Sequence, residues 1–238
     1  MIKLIDLLLI AVIIISAWSG YKKGMIMGIG SIIVIIVSVY GANLLSNAFS
    51  YEVIPAIRPF ADGFIEKKID EEVLAVMGWE DSDYSINNLL EQNPDSVHEF
   101  CAESFKAVGI HQKTAETLAT ETVAYAEQNS TDIPTAIVEV LCSRISYAIG
   151  FLLAFLLIVI ILTVIGNIPN LSFRIPNMDR LNDIGGAAAG LVTGLMFCFV
   201  IVWALKFTGL FLGPEVFTKN PIARLFLRID LLSRFIGL

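Results

Sequence analysis

Residues 145–173 read ISYAIGFLLAFLLIVIILTVIGNIPNLSF, a run that contains no charged side chain. A hydrocarbon layer about 30 Å thick is crossed by roughly 20 helical residues at 1.5 Å each. Further charge-free runs extend over residues 7–21, 24–51 and 184–205, and the first is long enough only if Asp6 is tolerated near its end. Because every backbone N–H and C=O must pair within its own segment inside lipid, the four runs predict an all-α integral membrane protein with four transmembrane helices.

The connections between these runs predict how the helices pair. The turn GYKKG at residues 20–24 is too short for anything but an antiparallel pair, so we expect two helical hairpins. A cleaved signal peptide is the less favoured alternative for the first run, since a second apolar run follows directly. The chain then divides into a first transmembrane hairpin, an acidic inserted block of short helices, a second transmembrane hairpin and an amphipathic C-terminal helix, with bounds 1–47, 48–144, 145–212 and 213–238.

The C-terminal segment combines an apolar stripe with basic side chains, which is typical of a helix that lies in the membrane interface. The basic positions are Arg224, Arg228 and Arg234. We do not expect a fifth span, because each arginine near the bilayer centre costs at least about 2.5 kcal/mol.

Charge is distributed unevenly along the chain. Between Glu52 and Glu139 the block carries 18 acidic and 5 basic side chains, a net of −13, and the rest of the chain carries a net of +6. Phosphate binding needs lysine and arginine, so we expect no nucleic-acid partner. The positive-inside rule does not decide the orientation, because both sides hold similar numbers of positive residues. The paired Lys22 and Lys23 favour a cytoplasmic turn, which places the termini and residues 48–144 on the extracytoplasmic side.

Glycines recur at intervals of four residues in two places. Small residues at this spacing lie on one helix face, where they allow two helix backbones to approach closely. We therefore predict that these glycines mediate helix packing, and the alternative that they line a pore or a ligand path stays open. The positions are Gly20, Gly24 and Gly28 in the first set and Gly186, Gly190 and Gly194 in the second.

Charged residues at the ends of the spans are the candidate functional positions. Asp6 either complements the dipole of the first helix or carries a proton within the membrane. Asp179, Arg180 and Asp183 precede the fourth span, where they form either a capped helix start or a docking loop. The two lysines of the first turn complete this set.

The sequence predicts no catalytic residue, no metal site and no cofactor. It contains no glycine-rich phosphate loop, no recognisable pair of catalytic carboxylates and no local signature of a serine triad. His98, Cys101 and His111 lack a fourth ligand at metal-binding spacing. Cys101 and Cys142 are expected on the same side of the membrane, and whether they pair stays open.

Three features of the sequence are shared with a known family. They are Asp6 at the first span, the GYKKG turn, and the stretch MDRLNDIGG at residues 178–186, which runs into Gly190 and Gly194. This combination resembles the CvpA (colicin V production) family of four-span bacterial inner-membrane proteins. The turn departs from the family in carrying lysines where arginine is frequent. Residues 48–144 are longer than the central loop of the shorter members, so the resemblance assigns no role to that block.

The resemblance implies a role in toxin (colicin V) production or export and in envelope maintenance, without a settled biochemical activity. Some relatives carry a protease domain beyond the fourth span on the extracytoplasmic side, which agrees with external termini. We expect a non-enzymatic accessory or scaffold that contacts the lipid bilayer and associates with itself or with another membrane protein. The alternative is a small oligomeric channel or transporter, with Asp6 near a path lined by polar residues such as Asn43 and Asn167.

Overall fold

The computed structural model of the protein describes residues 4–80, 84–167, 179–206, 220–229 and 232. These residues are almost entirely helical, and no strand occurs among them. The helices are α1 (Leu4–Lys23), α2 (Met25–Lys68), α3 (Leu74–Met77), α4 (Ile86–Gln92), α5 (Val97–Ala107), α6 (Gln112–Asn129), α7 (Ile133–Asn167), α8 (Asp179–Leu205) and α9 (Pro221–Ile229). A π-helical turn (Ile69–Val73) joins α2 to α3, and a 3₁₀ turn (Pro94–Ser96) precedes α5.

Four helical segments are long and apolar enough to cross a membrane. They are Leu4–Lys23, Met25–Met77, Ile133–Gly166 and Asp179–Leu205. The prediction of an all-α chain with four helices able to span a membrane is therefore confirmed. Large apolar side chains remain exposed on these helices, among them Ile14, Leu153 and Ile160, and such surfaces suit contact with lipid chains.

Two of the spanning helices continue well beyond their charge-free runs. α2 is unbroken past residue 47 and runs through Pro55 and Pro59 to Lys68. Each proline removes one intrahelical hydrogen bond, yet neither ends the helix. α7 begins at Ile133 and continues without a break into the third span. The helices of the spans therefore extend into the inserted block.

The described residues fall into two compact units. The membrane unit is drawn from residues 1–48, 149–205 and 216–238, and the inserted unit from residues 49–148 and 206–215. The inserted unit has an apolar core of its own, in which Phe100 and Leu141 are fully buried. This core combines short helices such as α5 with the extended parts of α2 and α7.

Ion pairs join the helices of the inserted unit. Arg144 of α7 donates from Nε and Nη2 to the two carboxylate oxygens of Glu121 in α6, at 3.0 and 2.5 Å. Arg58 of α2 pairs with Glu139 of α7. The two-pronged geometry of the first pair fixes the relative orientation of its helices more than a single contact does, although partly exposed pairs stabilise a fold only modestly.

Candidate functional site

The helices α1 and α8 pack antiparallel along a seam of glycines. Gly20 lies against Gly186 and Gly190, and further along the same seam Gly194 lies against Ile13. A Cβ atom added to Gly20 would lie 2.8 Å from the Cα of Gly190, and one added to Gly194 would lie 3.0 Å from the Cα of Ile13. Such distances leave no room for a side chain, so the two backbones are in direct van der Waals contact, which is a main source of helix association in lipid.

The remaining glycines of the two sets lie beside this seam. A Cβ on Gly28 would lie 2.8 Å from the Cβ of Ala189, and one on Gly186 would lie 2.7 Å from the carbonyl carbon of Gly24. The structure thus brings all six predicted glycines into one contact region inside a single chain. Their contacts are made within the chain, so association with a second copy requires a different surface.

A buried asparagine ties the first turn to the start of α8. The Oδ1 atom of Asn182 accepts a hydrogen bond from the backbone N–H of Met25 at 3.1 Å, and Asn182 is fully buried. Met25 is the first residue of α2, so this amide side chain caps the N-terminus of that helix from another part of the chain. Gly24 has a φ of +83°, which favours glycine, and its missing side chain leaves space for the Asn182 amide.

The selection of candidate residues from the sequence missed Asn182, although it chose the residues beside it. Asp179 and Arg180 are exposed and Asp183 is half-buried. Arg180 forms no ion pair with any described residue. A signal was present, because Asn182 precedes Gly186 by four residues and so extends the glycine series by one helical turn.

Asp6 is bound to the C-terminal helix. Its Oδ1 atom accepts a hydrogen bond from the backbone N–H of Ala223 at 3.1 Å, and its Oδ2 atom accepts one from Ile222 at 3.4 Å. Both donors lie in the first turn of α9, where the N–H groups have no partner within their own helix. The carboxylate therefore serves as a cap for α9, in addition to its position in the first turn of α1.

α9 packs onto α1 and α8 through its apolar side. Ala223 and Phe226 are buried, and the ring of Phe226 lies 4.8 Å from that of Phe199 in an edge-to-face arrangement. Arg224 and Arg228 are exposed, and the predicted position Arg234 lies outside the described residues. The helix thus presents one buried apolar side and exposed basic side chains.

The two lysines of the first turn differ in their surroundings. Lys22 places its Nζ atom 5.3 Å from the ring centre of Trp18, a distance at which a cation is attracted to an aromatic face. Lys23 instead lines a cavity between α1, α2, α7 and α8, whose volume is about 320 Å³. Gly20 and Gly190 also line this cavity, so the seam and the cavity share part of one helix face.

The inserted unit shows no site of metal or redox chemistry in the part that the structure describes. No group of three or more potential metal ligands occurs among the described residues. The Nε2 atom of His98 lies 3.1 Å from Oγ1 of Thr120. Cys101 and Cys142 are buried free thiols in this structure. Burial raises the pKa of Cys101 to about 12, which keeps this thiol protonated at neutral pH and unreactive.

The described part of the chain has four long apolar helices, a buried seam of glycines and side-chain caps that join one helix to another. These features define a multi-pass helical membrane protein. The family described as Colicin V production protein matches residues 107–230, just over half of the chain, and the chain belongs to this family. The match includes the MDRLNDIGG stretch and the second glycine set, whereas Asp6 and the first turn lie outside it. A search of curated proteins found no match, and neither did a search of solved structures.

Proposed function

We propose that the protein is a non-enzymatic accessory or scaffold of the bacterial cytoplasmic membrane that acts in colicin V production or export and in envelope maintenance. Family membership supports a role in colicin production. The scaffold role rests on the contact between Asn182 and Met25, which joins the first turn and the start of α8 in one buried structure. A buried polar side chain that joins two helices is more typical of a structural protein than of an active site.

A secretion assay with two matched glycine variants tests this role. Gly190→Leu forces a side chain into the seam, whereas Gly63→Leu adds one on α2 where a Cβ meets no atom within 4 Å. We expect Gly190→Leu to lower colicin V secretion and Gly63→Leu to leave it unchanged, with membrane levels of both variants measured in parallel. Normal secretion by a Gly190→Leu chain whose melting temperature has fallen would remove the role of the seam.

We also propose that the spans form two antiparallel hairpins, that α9 lies in the membrane interface, and that the termini and residues 48–144 are extracytoplasmic. The single residue Gly24 between α1 and α2 supports the first hairpin. Exposed Arg224 and Arg228 support the interfacial helix. Labelling of Lys22→Cys and Glu80→Cys with a membrane-impermeant thiol reagent in intact cells, in a chain without native cysteines, tests the orientation. Labelling at position 22 together with protection at position 80 would place the first turn outside and residues 48–144 in the cytoplasm, the reverse of the proposed orientation.

The proposed partners are the lipid bilayer and either a second copy of the chain or another membrane protein. Because the glycine seam lies within one chain, we assign association to exposed apolar faces, such as that around Ile36 on α2 or Leu153 on α7. Crosslinking between cysteines introduced at these two positions in native membranes tests a homo-oligomer. If the protein stays monomeric at every protein concentration, a homo-oligomer is excluded and the scaffold must associate with another membrane protein.

The cavity between the four spans favours one second candidate, a small oligomeric channel or transporter. Asp6, the acid expected near the path, is absent from the cavity lining and is bound to α9 instead. Ion flux in liposomes that contain the purified protein, abolished by Lys23→Gln, would support this candidate. Liposomes that stay impermeable to ions and to small amphiphiles would exclude it.

A further inference from the structure

The cavity of the membrane unit has the size of a ligand site. Its volume of about 320 Å³ lies at the lower end of the range of roughly 300–1,000 Å³ found for small-molecule sites. Two glycines create part of this space, since a Cβ added to Gly30 or to Gly166 would meet no atom within 4 Å. Both glycines line the cavity, so a larger residue at either position has room to reduce its volume.

The lining of the cavity changes from polar to apolar along the helices. Lys23 is the last residue of α1, and Ser19 and Ser16 lie one and two turns before it, which is about 6 and 10 Å along the axis. The end away from Lys23 is lined by apolar side chains, among them Ile35 of α2 and Phe197 of α8. A molecule that fits this profile has a polar head and a hydrocarbon body.

The polar end of the cavity is suited to an anionic group. No acidic residue lines the cavity, and Lys23 forms no ion pair with any described residue. The hydroxyl groups of Ser16 and Ser19 likewise have no hydrogen bond within the described chain, whereas that of Thr193 donates to the Ala189 carbonyl. An ammonium group and two unpaired hydroxyl donors next to hydrocarbon are stabilised by a charged acceptor.

We propose that this cavity binds the anionic head group of a bilayer phospholipid, with the Lys23 ammonium and the Ser16 and Ser19 hydroxyls contacting the phosphate. One acyl chain extends along the apolar end toward Ile35 and Phe197. A membrane phospholipid is the occupant because the cavity lies among four helices able to span a membrane, where lipid is the molecule present at the highest concentration. The binding is independent of any scaffold or transport role.

Native mass spectrometry of the purified full-length protein in a mild detergent tests the proposal. The protein is titrated with phosphatidylglycerol and with phosphatidylcholine of the same acyl chains. We expect a phosphatidylglycerol preference of about tenfold, because the choline cation of phosphatidylcholine offsets the charge of its phosphate beside Lys23, whereas phosphatidylglycerol keeps a net negative charge. Lys23→Gln is expected to lose this preference. Lys22→Gln, which removes the neighbouring charge over Trp18, is expected to keep it.

A second pair of variants tests the apolar end of the cavity. Gly30→Leu fills the opening, and Gly63→Leu places the same side chain in open space on α2 outside the cavity. We expect Gly30→Leu to lower phosphatidylglycerol affinity at least tenfold with an undiminished melting temperature, and Gly63→Leu to have no effect. Equal binding of the two lipids by the wild-type chain, or equal effects of Lys22→Gln and Lys23→Gln, would overturn the proposal.

Two further ligands identify the source of the anion. Inorganic phosphate alone is expected to bind much more weakly than phosphatidylglycerol, because it lacks the acyl chain. Dodecanoate, a free anionic amphiphile, is expected to compete poorly because its single twelve-carbon chain buries less apolar area than the acyl chains of a phospholipid. Dodecanoate binding as tight as that of phosphatidylglycerol, with the same dependence on Lys23, would overturn the assignment of the site to a phospholipid.

Discussion

The carboxylate of Asp6 accepts a hydrogen bond from the backbone N–H of Ala223, across 217 positions of the chain. α9 begins at Pro221, whose nitrogen carries no hydrogen, so Ile222 and Ala223 supply the first free N–H groups of this helix. Asp6 bonds to both of them, in the manner of an N-cap side chain that bonds to the second and third residues of its own helix. An acid at the start of an apolar span thus has a structural partner in the last described helix.

Replacement of Asp6 is expected to loosen α9. Asp6→Ala removes both acceptors and should destabilise the docked helix by about 1 kcal/mol, the usual value of an N-cap. Asp6→Asn keeps one acceptor oxygen and should have a smaller effect. Hydrogen exchange of residues 221–229 measures the change, and Asp179→Ala at an exposed position provides the control. Unchanged exchange in Asp6→Ala would show that packing of the apolar side alone holds α9.

Two glycine-to-alanine variants are expected to shift stability in opposite directions. In Gly190→Ala the new Cβ would lie 3.0 Å from the Cα of Gly20, whereas in Gly30→Ala it would meet no atom within 4 Å. Overpacking of the seam should cost about 1–3 kcal/mol. Position 30, where the added Cβ meets open space, should gain up to about 1 kcal/mol from the higher helix propensity of alanine. Thermal unfolding in detergent compares the two. Equal melting temperatures would contradict the tight seam.

The sequence was sufficient to predict the four spans, because apolar length is a local property of the chain. The six glycines were also identified from their spacing. Their partners were not, since periodicity defines a face of a helix but not the helix that it meets, and in lipid every apolar face is equally compatible with its surroundings. That α1 pairs with α8 through Gly20 and Gly190 is known only from the structure.

Three other features escaped prediction for different physical reasons. The cap on α9 joins residues at opposite ends of the chain, and no local pattern records such a contact. The unbroken course of α2 through Pro55 and Pro59 goes against the usual effect of proline on helices. The cavity is formed by side chains of four helices together, so only their packing reveals that Lys23 and Phe197 share one space.

Loss of the Asn182 amide is expected to destabilise the start of α2. Asn182→Ala removes the acceptor for the Met25 N–H and leaves this donor without a partner, which should cost about 1–3 kcal/mol. Arg180→Ala, two positions away at an exposed site, should change stability by less than about 0.5 kcal/mol. Unfolding curves of the two variants, with hydrogen exchange at residues 25–28, measure the difference. Equal effects would indicate that the hydrogen bond from Met25 to Asn182 contributes no measurable stability.

The Cys101 thiol is expected to report on the integrity of the inserted unit. Burial raises its pKa from the ordinary value of 9.0 to about 12, so the folded protein disfavours the thiolate and the reactive form is scarce. The raised pKa does not affect the free energy of unfolding below pH 9. Above pH 9 only the unfolded state ionises readily, so the free energy of unfolding falls as the pH rises toward 12.

Alkylation by N-ethylmaleimide at pH 7, 8 and 9 measures this protection, in a chain where Cys142 and Cys198 are replaced by alanine. We expect slow labelling at each pH in the folded protein and labelling faster by at least about two orders of magnitude in denaturant, since the buried thiol is both protonated and shielded. A labelling rate in the folded protein equal to the rate in denaturant at each pH would show an exposed thiol with an ordinary pKa. That result would place Cys101 outside the core that also contains Phe100 and Leu141.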